Sequence, residues 1–590
     1  MPTYGLGRPG VFLQENLVQQ STEVNSTSNA TAAFVGYLTK GPETPTYVTS
    51  WADFTKYFGG LDYNLPTTLA VYMFFSNGGR NAYIRRVTKG SGVIAGTITS
   101  VTVSGTNLVT VVGTGLPVFT AGTTIDVAGY GVSAVNGTQV VLTGSSATSF
   151  TFRVPVGTAN GATTGGTISS SLKAAVTLTN STTPIFTVVA KNSGTWANAI
   201  AVDVVGTASN FTFTVYGAPQ GSTTPARSNV LEQFTDLSMT TTAANYFASI
   251  INQSATYVSV TDLKYSPATV ATTSDLAILA GGGNGSTITK DELGSTTWAD
   301  FDTINVPLIF NLPDVSVTST TWTTTNSAIS VNSLISYAEA RGDAFVIVDP
   351  HNDATVSSLT TAGTGYATIV TVGTGSQAAM YFPWLTIPDT SKAVRGLTVN
   401  VAPGGAIAGI YQATDTSRGV FKTPAGFSTR LANVLGVATS LTNANLDDLN
   451  SAANPVNAIK PTPGNGIVVM GGRTLSASKA NRYISVRRGL IYLKKELNDR
   501  TNFAVFENND VILWNKINSS ISNFLNVYWQ QGGLRGNIPQ EAFFVKCDAT
   551  TTSDTDILNG RVNIQIGVAL EYPAEFVLIT IGQITGNASV

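Results

Sequence analysis

A stretch of eighty residues is almost free of charge, and this strongly constrains the fold. Between Ser91 and Ser170 the only charged residues are Asp126 and Arg153. Short runs rich in Val, Ile, Thr and Phe (TITSVTV, NLVTVV, GTQVVLT and SFTFRVPV) alternate there with Gly and Asn-Gly turns. Strand-forming runs separated by turn residues at this spacing are typical of small antiparallel β structures. We therefore expect a small all-β sandwich or barrel at residues 91–170, inserted into a fold of another type.

The segments on both sides of this insert alternate between strands and helices. Residues 31–87 contain a strand (AAFVGYLTK), two helical segments and a second strand. The same alternation is expected to resume at Ala174, and a helix over Ser330–Arg341 leads into the apolar strand AFVIVD. A helix that leads into a buried strand is typical of an open α/β sheet. We therefore predict an α/β core at residues 21–90 and 171–455, as one or two subdomains.

The composition changes again after the Pro/Gly-rich stretch PTPGNG at residues 461–466. Two long amphipathic helices are predicted there, because apolar residues recur at steps of three and four. The first set is Tyr483, Val486, Leu490, Leu493 and Leu497, and the second is Trp514, Ile517, Ile521, Phe524 and Tyr528. We expect a separate α+β domain at residues 456–574. The chain is therefore predicted to be a multidomain α/β and α+β protein.

Both ends of the chain carry short apolar runs outside the predicted domains. Residues 1–20 combine an apolar run with Gly and Pro, which favours an extended arm over a domain. A strand-like run, EFVLITIGQI, begins a second arm at residues 575–590. Extended arms can add a strand to a neighbour's sheet through main-chain hydrogen bonds. The residues predicted to pair between subunits are Val11, Phe12, Leu13, Phe576, Val577, Leu578 and Ile579.

Charge is distributed unevenly along the chain. The 32 basic and 34 acidic residues leave a net charge of −2, so the chain as a whole lacks the basic surface that nucleic acids require. Residues 471–536, however, contain ten basic and four acidic residues, a net charge of +6, whereas the rest of the chain is at −8. This asymmetry predicts an acidic partner surface.

Four basic residues are the candidates for meeting that partner. They lie on a helix expected to run from Ser476, outside its apolar stripe, and are therefore expected to be free. For any single one of them, a solvated helix face is the alternative interpretation. These residues are Arg487, Arg488, Lys494 and Lys495.

Residue types that most enzymes use are scarce. Cys547 is the only cysteine and His351 the only histidine, which excludes a disulfide framework and a His/Cys zinc site. The segment DAFVIVDPH brings Asp343, Asp349 and His351 close together for acid–base work. There is no second histidine and no nucleophile-elbow motif, so a turn at the end of a strand is favoured. We expect no catalytic, metal or cofactor site, and no enzyme.

The sequence also lacks membrane and secretion signals. No uninterrupted apolar run approaches the roughly 20 residues that a membrane span needs. The amino-terminal sequence MPTYGLGRPG lacks the basic-then-apolar order of a secretory signal. We expect a soluble protein that folds in the cytosol of the cell that makes it.

Ordered blocks along most of the chain resemble one protein family. RPGVFLQE, AAFVGYLTKGP, VTSWADFTKYFGG and AVYMFFSNGGRNAYIRRV stand near the start, followed by KNSGTWANAI, YFPWLTIPD and PGGAIAGIYQATDTSRGVFKTPAG. NRYISVRRGLIYLKKEL, LWNKINSSISNFLNVYWQQGGLRG and GRVNIQIGVALEYPAEFVLITI close the series. In this order they resemble the contractile tail sheath proteins of bacteriophages and related contractile injection machines. The insert at residues 91–170 departs from the family's common core, and we interpret it as an outward-facing domain.

The resemblance implies a structural subunit without a cofactor. Such subunits stack in hexameric rings around a tail tube, form a helical polymer, and contract on a baseplate signal to drive the tube through a cell envelope. The implied partners are further copies, the tail tube protein, and baseplate and tail terminator proteins. The implied location is the virion tail, assembled in the cytoplasm of a bacterial host.

The resemblance also gives the carboxy-terminal domain an expected place. It becomes the inner domain of the sheath, and its four candidate basic residues become tube-facing groups that grip an acidic tube. A phage surface adhesin or decoration protein is the alternative function, suggested by the Ser/Thr/Gly-rich insert.

Overall fold

The computed structural model combines a central α/β unit, two β-rich units that interrupt it, and a helical carboxy-terminal unit. The residues that it describes are 30–575 except 91–92, 106, 143–144, 156–157, 164, 181–182, 220–221, 264–269, 271–274, 371–376 and 392–395. The predicted mixed α/β class with several sheets is confirmed. Within these ranges no helix is long and apolar enough to cross a membrane.

The first described segment alternates strands and helices as predicted. Its elements are β1 Thr31–Tyr37, β2 Thr46–Val48, α1 Trp51–Phe58, α2 Pro66–Ser76 and β3 Ala82–Val87. Ser50 caps α1 by accepting a hydrogen bond from the Asp53 main chain, and Pro66 opens α2 at a position that needs no N–H. These local signals explain why both helices begin where they do.

The nearly uncharged segment forms two antiparallel sheets. Its strands are β4 Thr97–Val103, β5 Leu108–Thr114, β6 Thr124–Ala128, β7 Gly137–Val140, β8 Ser149–Arg153, β9 Gly161–Thr163 and β10 Thr167–Ser170. The strand orders are β8-β5-β4-β9 and β10-β6-β7. Alternate side chains of these strands, such as Val109, Val111, Phe150 and Phe152, are buried in one apolar core.

A second β-rich unit follows directly. Its elements are β11 Ala175–Asn180, β12 Thr183–Ala190, β13 Ile200–Thr207, β14 Asn210–Gly217, β15 Val230–Leu237, α3 Phe247–Ser254, β16 Val258–Asp262 and β17 Ala277–Ile278. They form the antiparallel sheets β11-β12-β16 and β15-β14-β13-β17 around a separate apolar core. The expectation that the α/β pattern resumes at Ala174 is therefore wrong. All strand pairs of this unit are antiparallel, so they do not need the crossover helices that a parallel sheet requires.

The α/β order resumes about 120 residues later, with α4 and β18. The elements are α4 Ser295–Ala299, β18 Leu308–Asn311, α5 Thr324–Arg341, β19 Ala344–Val348, α6 Val356–Thr360, α7 Tyr366–Ile369, β20 Ala378–Phe382, β21 Leu385–Pro388, β22 Thr398–Val401, α8 Gly404–Arg418, β23 Gly436–Val437, α9 Asn443–Ser451, β24 Val456–Thr462 and β25 Gly466–Met470. The predicted helix ending at Arg341 and the strand after it are confirmed, although α5 begins at Thr324.

The central sheet has eight strands in the order β2-β3-β1-β18-β19-β20-β24-β25. Its six inner strands run parallel, and β2 and β25 pair antiparallel at the two edges. Apolar cores cover both faces. The domain boundary expected at residue 456 is wrong, because β24 and β25 belong to this sheet. The PTPGNG stretch contains the turn of their hairpin.

The carboxy-terminal unit packs two long helices beside a small sheet. Its elements are α10 Ile484–Thr501, α11 Val511–Gln530, α12 Pro539–Ala542, β26 Phe543–Lys546, α13 Asp554–Leu558 and β27 Gln565–Val568. Helix α10 begins eight residues after the expected start at Ser476. The residues before it make a bridge between Arg473 and Tyr483 and a single 3₁₀ turn.

Candidate assembly surface

Helix α10 is buried on two faces. Ile484 and Ile491 belong to the apolar core beneath the central sheet, whereas Tyr492 and Leu493 belong to the core shared with α11. The ring of Tyr492 stacks on that of Tyr528, with 5.6 Å between centroids. The helix therefore joins the central sheet to the rest of the carboxy-terminal unit.

Arg488 is one of the buried residues of this helix. Its Nη1 lies 2.9 Å from Oδ1 of Asp415 on α8, Nη2 donates to the other carboxylate oxygen, and the guanidinium carbon lies 4.5 Å from the centre of the Tyr411 ring. Burial opposes the charge on Arg488, but the Asp415 carboxylate outweighs this effect and raises the pKa of Arg488. The prediction that Arg488 is free to meet a partner is wrong. A helix packed on two faces buries more positions than its single apolar stripe indicates.

The other three candidate basic residues lie nearer the surface. Lys494 is exposed, and the Lys495 ammonium lies 2.6 Å from Oδ1 of Asp499 one turn later. Arg487 is half-buried, and burial lowers the pKa of Arg487 while the nearby Glu339 partly offsets this. Arg487 and Lys494 are seven residues apart and therefore share one face of α10. This face is what remains of the predicted basic surface.

A small sheet in the same unit has edges that can accept further strands. Strands β26 and β27 are antiparallel, with Phe543 opposite Val568 and Lys546 opposite Gln565. Among the described residues, neither strand pairs with a third one. A two-stranded sheet is marginally stable by itself, and an open edge presents main-chain groups to another chain.

The last described residue is held firmly to the unit. The carboxylate of Glu575 accepts hydrogen bonds from Arg473 at Nε (2.8 Å) and Nη2 (2.5 Å) and from the Tyr483 hydroxyl (3.2 Å). The predicted pairing residues of both arms lie outside the described residues, so their pairing stays a prediction. They are Val11, Phe12, Leu13, Phe576, Val577, Leu578 and Ile579.

The side chains of Asp349 and His351 make separate hydrogen bonds. Asp349 is buried, and its carboxylate accepts hydrogen bonds from Asn311 Nδ2 and from the main chain of Gly404, both at 2.7 Å. Burial raises the pKa of Asp349 to about 6. Nδ1 of His351 lies 3.2 Å from the Thr318 hydroxyl, and no hydrogen bond of the described residues joins the ring to Asp349. Asp349 instead ties the end of β19 to the start of α8.

The described ranges contain no cluster of side chains that could bind a metal ion. No group of three or more His, Cys, Asp or Glu side chains occurs there in a metal-binding arrangement.

Two kinds of similarity relate the chain to known proteins. Residues 476–584 match the family model described as the phage tail sheath C-terminal domain. The chain is similar to the contracted helical sheath of the anti-feeding prophage, with 18% identity, coverage of 98% of this chain and 100% of that chain, and a TM-score of 0.51. It is also similar to the sheath tail protein Lin1278 from Listeria innocua, with 11% identity, coverage of 92% and 95%, and a TM-score of 0.52. No curated protein sequence matches the chain.

The two kinds of match cover different properties. At 11% and 18% identity the solved structures establish the fold, whereas the family model identifies the segment that contains α10, α11 and the small sheet. The resemblance drawn from the sequence blocks is thereby confirmed. Residues 476–584 thus match a phage tail sheath C-terminal domain, and the chain has the fold of the solved sheath proteins.

Proposed function

We propose that this chain is the structural subunit of a contractile tail sheath. The observation that carries the proposal is the sheath domain match at residues 476–584, supported by the full-length similarity to a contracted sheath. In this function the subunits stack as hexameric rings around a tail tube, on a baseplate and below a tail terminator. Contraction drives the tube through the host envelope. Larger buried area between subunits in the contracted state would supply the free energy, with no reaction and no cofactor.

The arms at both ends would hold neighbouring subunits together. Their apolar runs are long enough to form strands, and the two-stranded sheet β26–β27 offers open edges to receive them. Strand addition uses main-chain hydrogen bonds, which depend little on side chains. Extended arms of this kind can stay paired while folded units move past each other.

The units would also differ in radial position. The carboxy-terminal unit would face the tube, with Arg487 and Lys494 as the tube-facing basic residues. Contacts between exposed charges are screened by salt, so this grip would be releasable. The β unit at residues 91–170 would face outward. The assembled tail of a virion is the expected location, with assembly in the host cytoplasm.

Electron microscopy of the purified chain tests the function. We expect hollow helical cylinders, whereas isolated particles that bind cells would favour the adhesin or decoration protein. Deleting residues 1–20 should abolish the cylinders and leave a folded monomer. Normal cylinders from that deletion would contradict the arm mechanism.

A matched pair of variants separates main-chain pairing from side-chain packing. Val11→Pro with Leu13→Pro removes two N–H donors from the arm, whereas Val11→Ala with Leu13→Ala keeps them. We expect the proline pair to reduce polymer formation more than the alanine pair. Equal effects would mean that the arm binds through its side chains.

A further inference from the structure

The turn between α10 and α11 holds an aromatic ring entirely in water. Phe506 is 105% exposed, and its backbone φ is +66°. Positive φ is disfavoured for a bulky residue other than glycine, and exposure of a phenyl ring is unfavourable as well. Backbone strain of this kind persists mainly where a function requires it. The isolated subunit therefore carries two unfavourable features at one residue.

Phe506 lies in a segment that carries further exposed apolar residues. Val505, Val511 and Ile512 are also exposed, so four of the eight residues at 505–512 are large, apolar and open to solvent. We call this segment the α10–α11 turn. Contiguous exposed apolar residues mark interaction surfaces in soluble proteins.

The base of the α10–α11 turn is rigid. The Asn509 side chain donates to the main-chain carbonyl of Arg561 and accepts from the indole N–H of Trp514, both at 2.8 Å. Asp510 caps α11 through a 2.9 Å hydrogen bond from the Leu513 main chain. A surface held in place before binding loses little entropy when a partner binds.

The charges within the α10–α11 turn are opposite in sign to those at the other end of α10. The turn carries the exposed acids Glu507 and Asp510, whereas the approach to α10 carries Lys479 and Arg482. The 18 residues of α10 separate these two ends by about 27 Å. The acidic and basic ends are therefore too far apart to pair within one subunit.

We propose that the α10–α11 turn of one subunit docks on the basic amino-terminal end of α10 in a second copy of this chain. Two different surfaces of the same molecule then meet head to tail, and such contacts build rings or open helical polymers. An acidic tube is a poorer partner, because the turn is itself acidic. The inference rests on the proposed sheath function and adds a subunit contact outside the terminal arms.

Phe506→Gly provides the central test. Glycine accepts positive φ without strain, so the monomer should unfold at a denaturant midpoint equal to or above that of the wild type. Its critical concentration for polymerisation should rise at least tenfold. Phe427→Ser changes another exposed phenylalanine and is the matched control for Phe506→Ser. Only Phe506→Ser should raise the critical concentration. Wild-type polymerisation of Phe506→Gly would overturn the proposal.

Charge reversal identifies the partner surface. Glu507→Lys alone, and Lys479→Glu with Arg482→Glu, should each weaken polymerisation, and all three changes together should restore it. Absence of restoration, or loss only of tube binding with normal self-assembly, would overturn the assigned partner. If the wild-type chain forms no polymer at all, the proposed sheath function fails instead.

Discussion

Arg488 and Asp415 form a two-pronged ion pair in the interior, with side chains that are 3% and 0% exposed. The pair joins α10 to α8, and thus the carboxy-terminal unit to the central sheet. Tyr411 lies beneath the guanidinium and shares a 2.6 Å hydrogen bond between hydroxyls with Tyr381 on β20. These contacts couple the carboxy-terminal unit to the α/β unit.

Asp415→Asn should therefore destabilise the subunit strongly. It leaves the buried guanidinium without its counter-charge, and losing one partner of a buried ion pair costs about 3–5 kcal/mol. Denaturant unfolding of the monomer measures this loss. Asp291→Asn, which removes the exposed partner of Lys290, is the control and should leave the unfolding midpoint nearly unchanged. Equal losses from the two variants would contradict a structural role for the buried pair.

A second prediction concerns the close approach of α8 to α2. A Cβ at Gly405 would lie 2.1 Å from the main-chain oxygen of Ala70, so Gly405→Ala must push the two helices apart. We expect a loss of about 1–3 kcal/mol in the free energy of unfolding. Gly489→Ala in α10 is the matched control, because its nearest atoms lie at 3.6 Å. That control should be neutral or stabilising, since alanine favours helices; a neutral Gly405→Ala would contradict the packing.

The third prediction concerns pH. Burial raises the pKa of Asp314 to about 6, although the Tyr37 main chain and the Thr67 hydroxyl donate to its carboxylate. The folded state thus favours the protonated form, and its contribution is lost as pH rises from about 4 to about 6. The change is about 3 kcal/mol at most. The free energy of unfolding should therefore fall less between pH 4 and pH 7 in Asp314→Asn than in the wild type. The same pH dependence in both proteins would contradict this account.

The fourth prediction concerns the tube. Arg487→Glu with Lys494→Glu should weaken binding to the tail tube protein and remove part of its salt dependence, because both residues share one face of α10. Co-sedimentation with tubes at two salt concentrations measures the effect. Lys56→Glu with Arg430→Glu, which reverses two charges outside the carboxy-terminal unit, is the control. Equal loss of self-polymerisation and tube binding would assign the face to contacts between subunits.

Local patterns predicted several elements correctly. Periodicity and capping residues close by in sequence predict three features: the strand and helix alternation of residues 31–87, the strand after α5, and the amphipathic helix α11. In α11, all five stripe residues from Trp514 to Tyr528 are buried. One face of this helix packs, so one stripe describes it.

Long-range partners were not predictable in the same way. Arg488 lies outside its stripe, yet it is buried by Asp415, which is 73 residues earlier in the chain. The hairpin β24–β25 joins a sheet whose other strands are distant in sequence, so local composition wrongly assigns it to the next domain. The exposed surface around Phe506 was also missed. Its signal was the sequence AVFENNDVI, in which apolar residues stand between two helices without a periodic pattern.

A helical reconstruction of the assembled chain by electron microscopy tests the central claim most directly. The sheath account predicts a hollow cylinder of stacked hexameric rings, with the domain at residues 476–584 lining the inner wall and the β unit at residues 91–170 on the outside. Solid or isolated particles, or a cylinder with the carboxy-terminal domain on its outer surface, would contradict it.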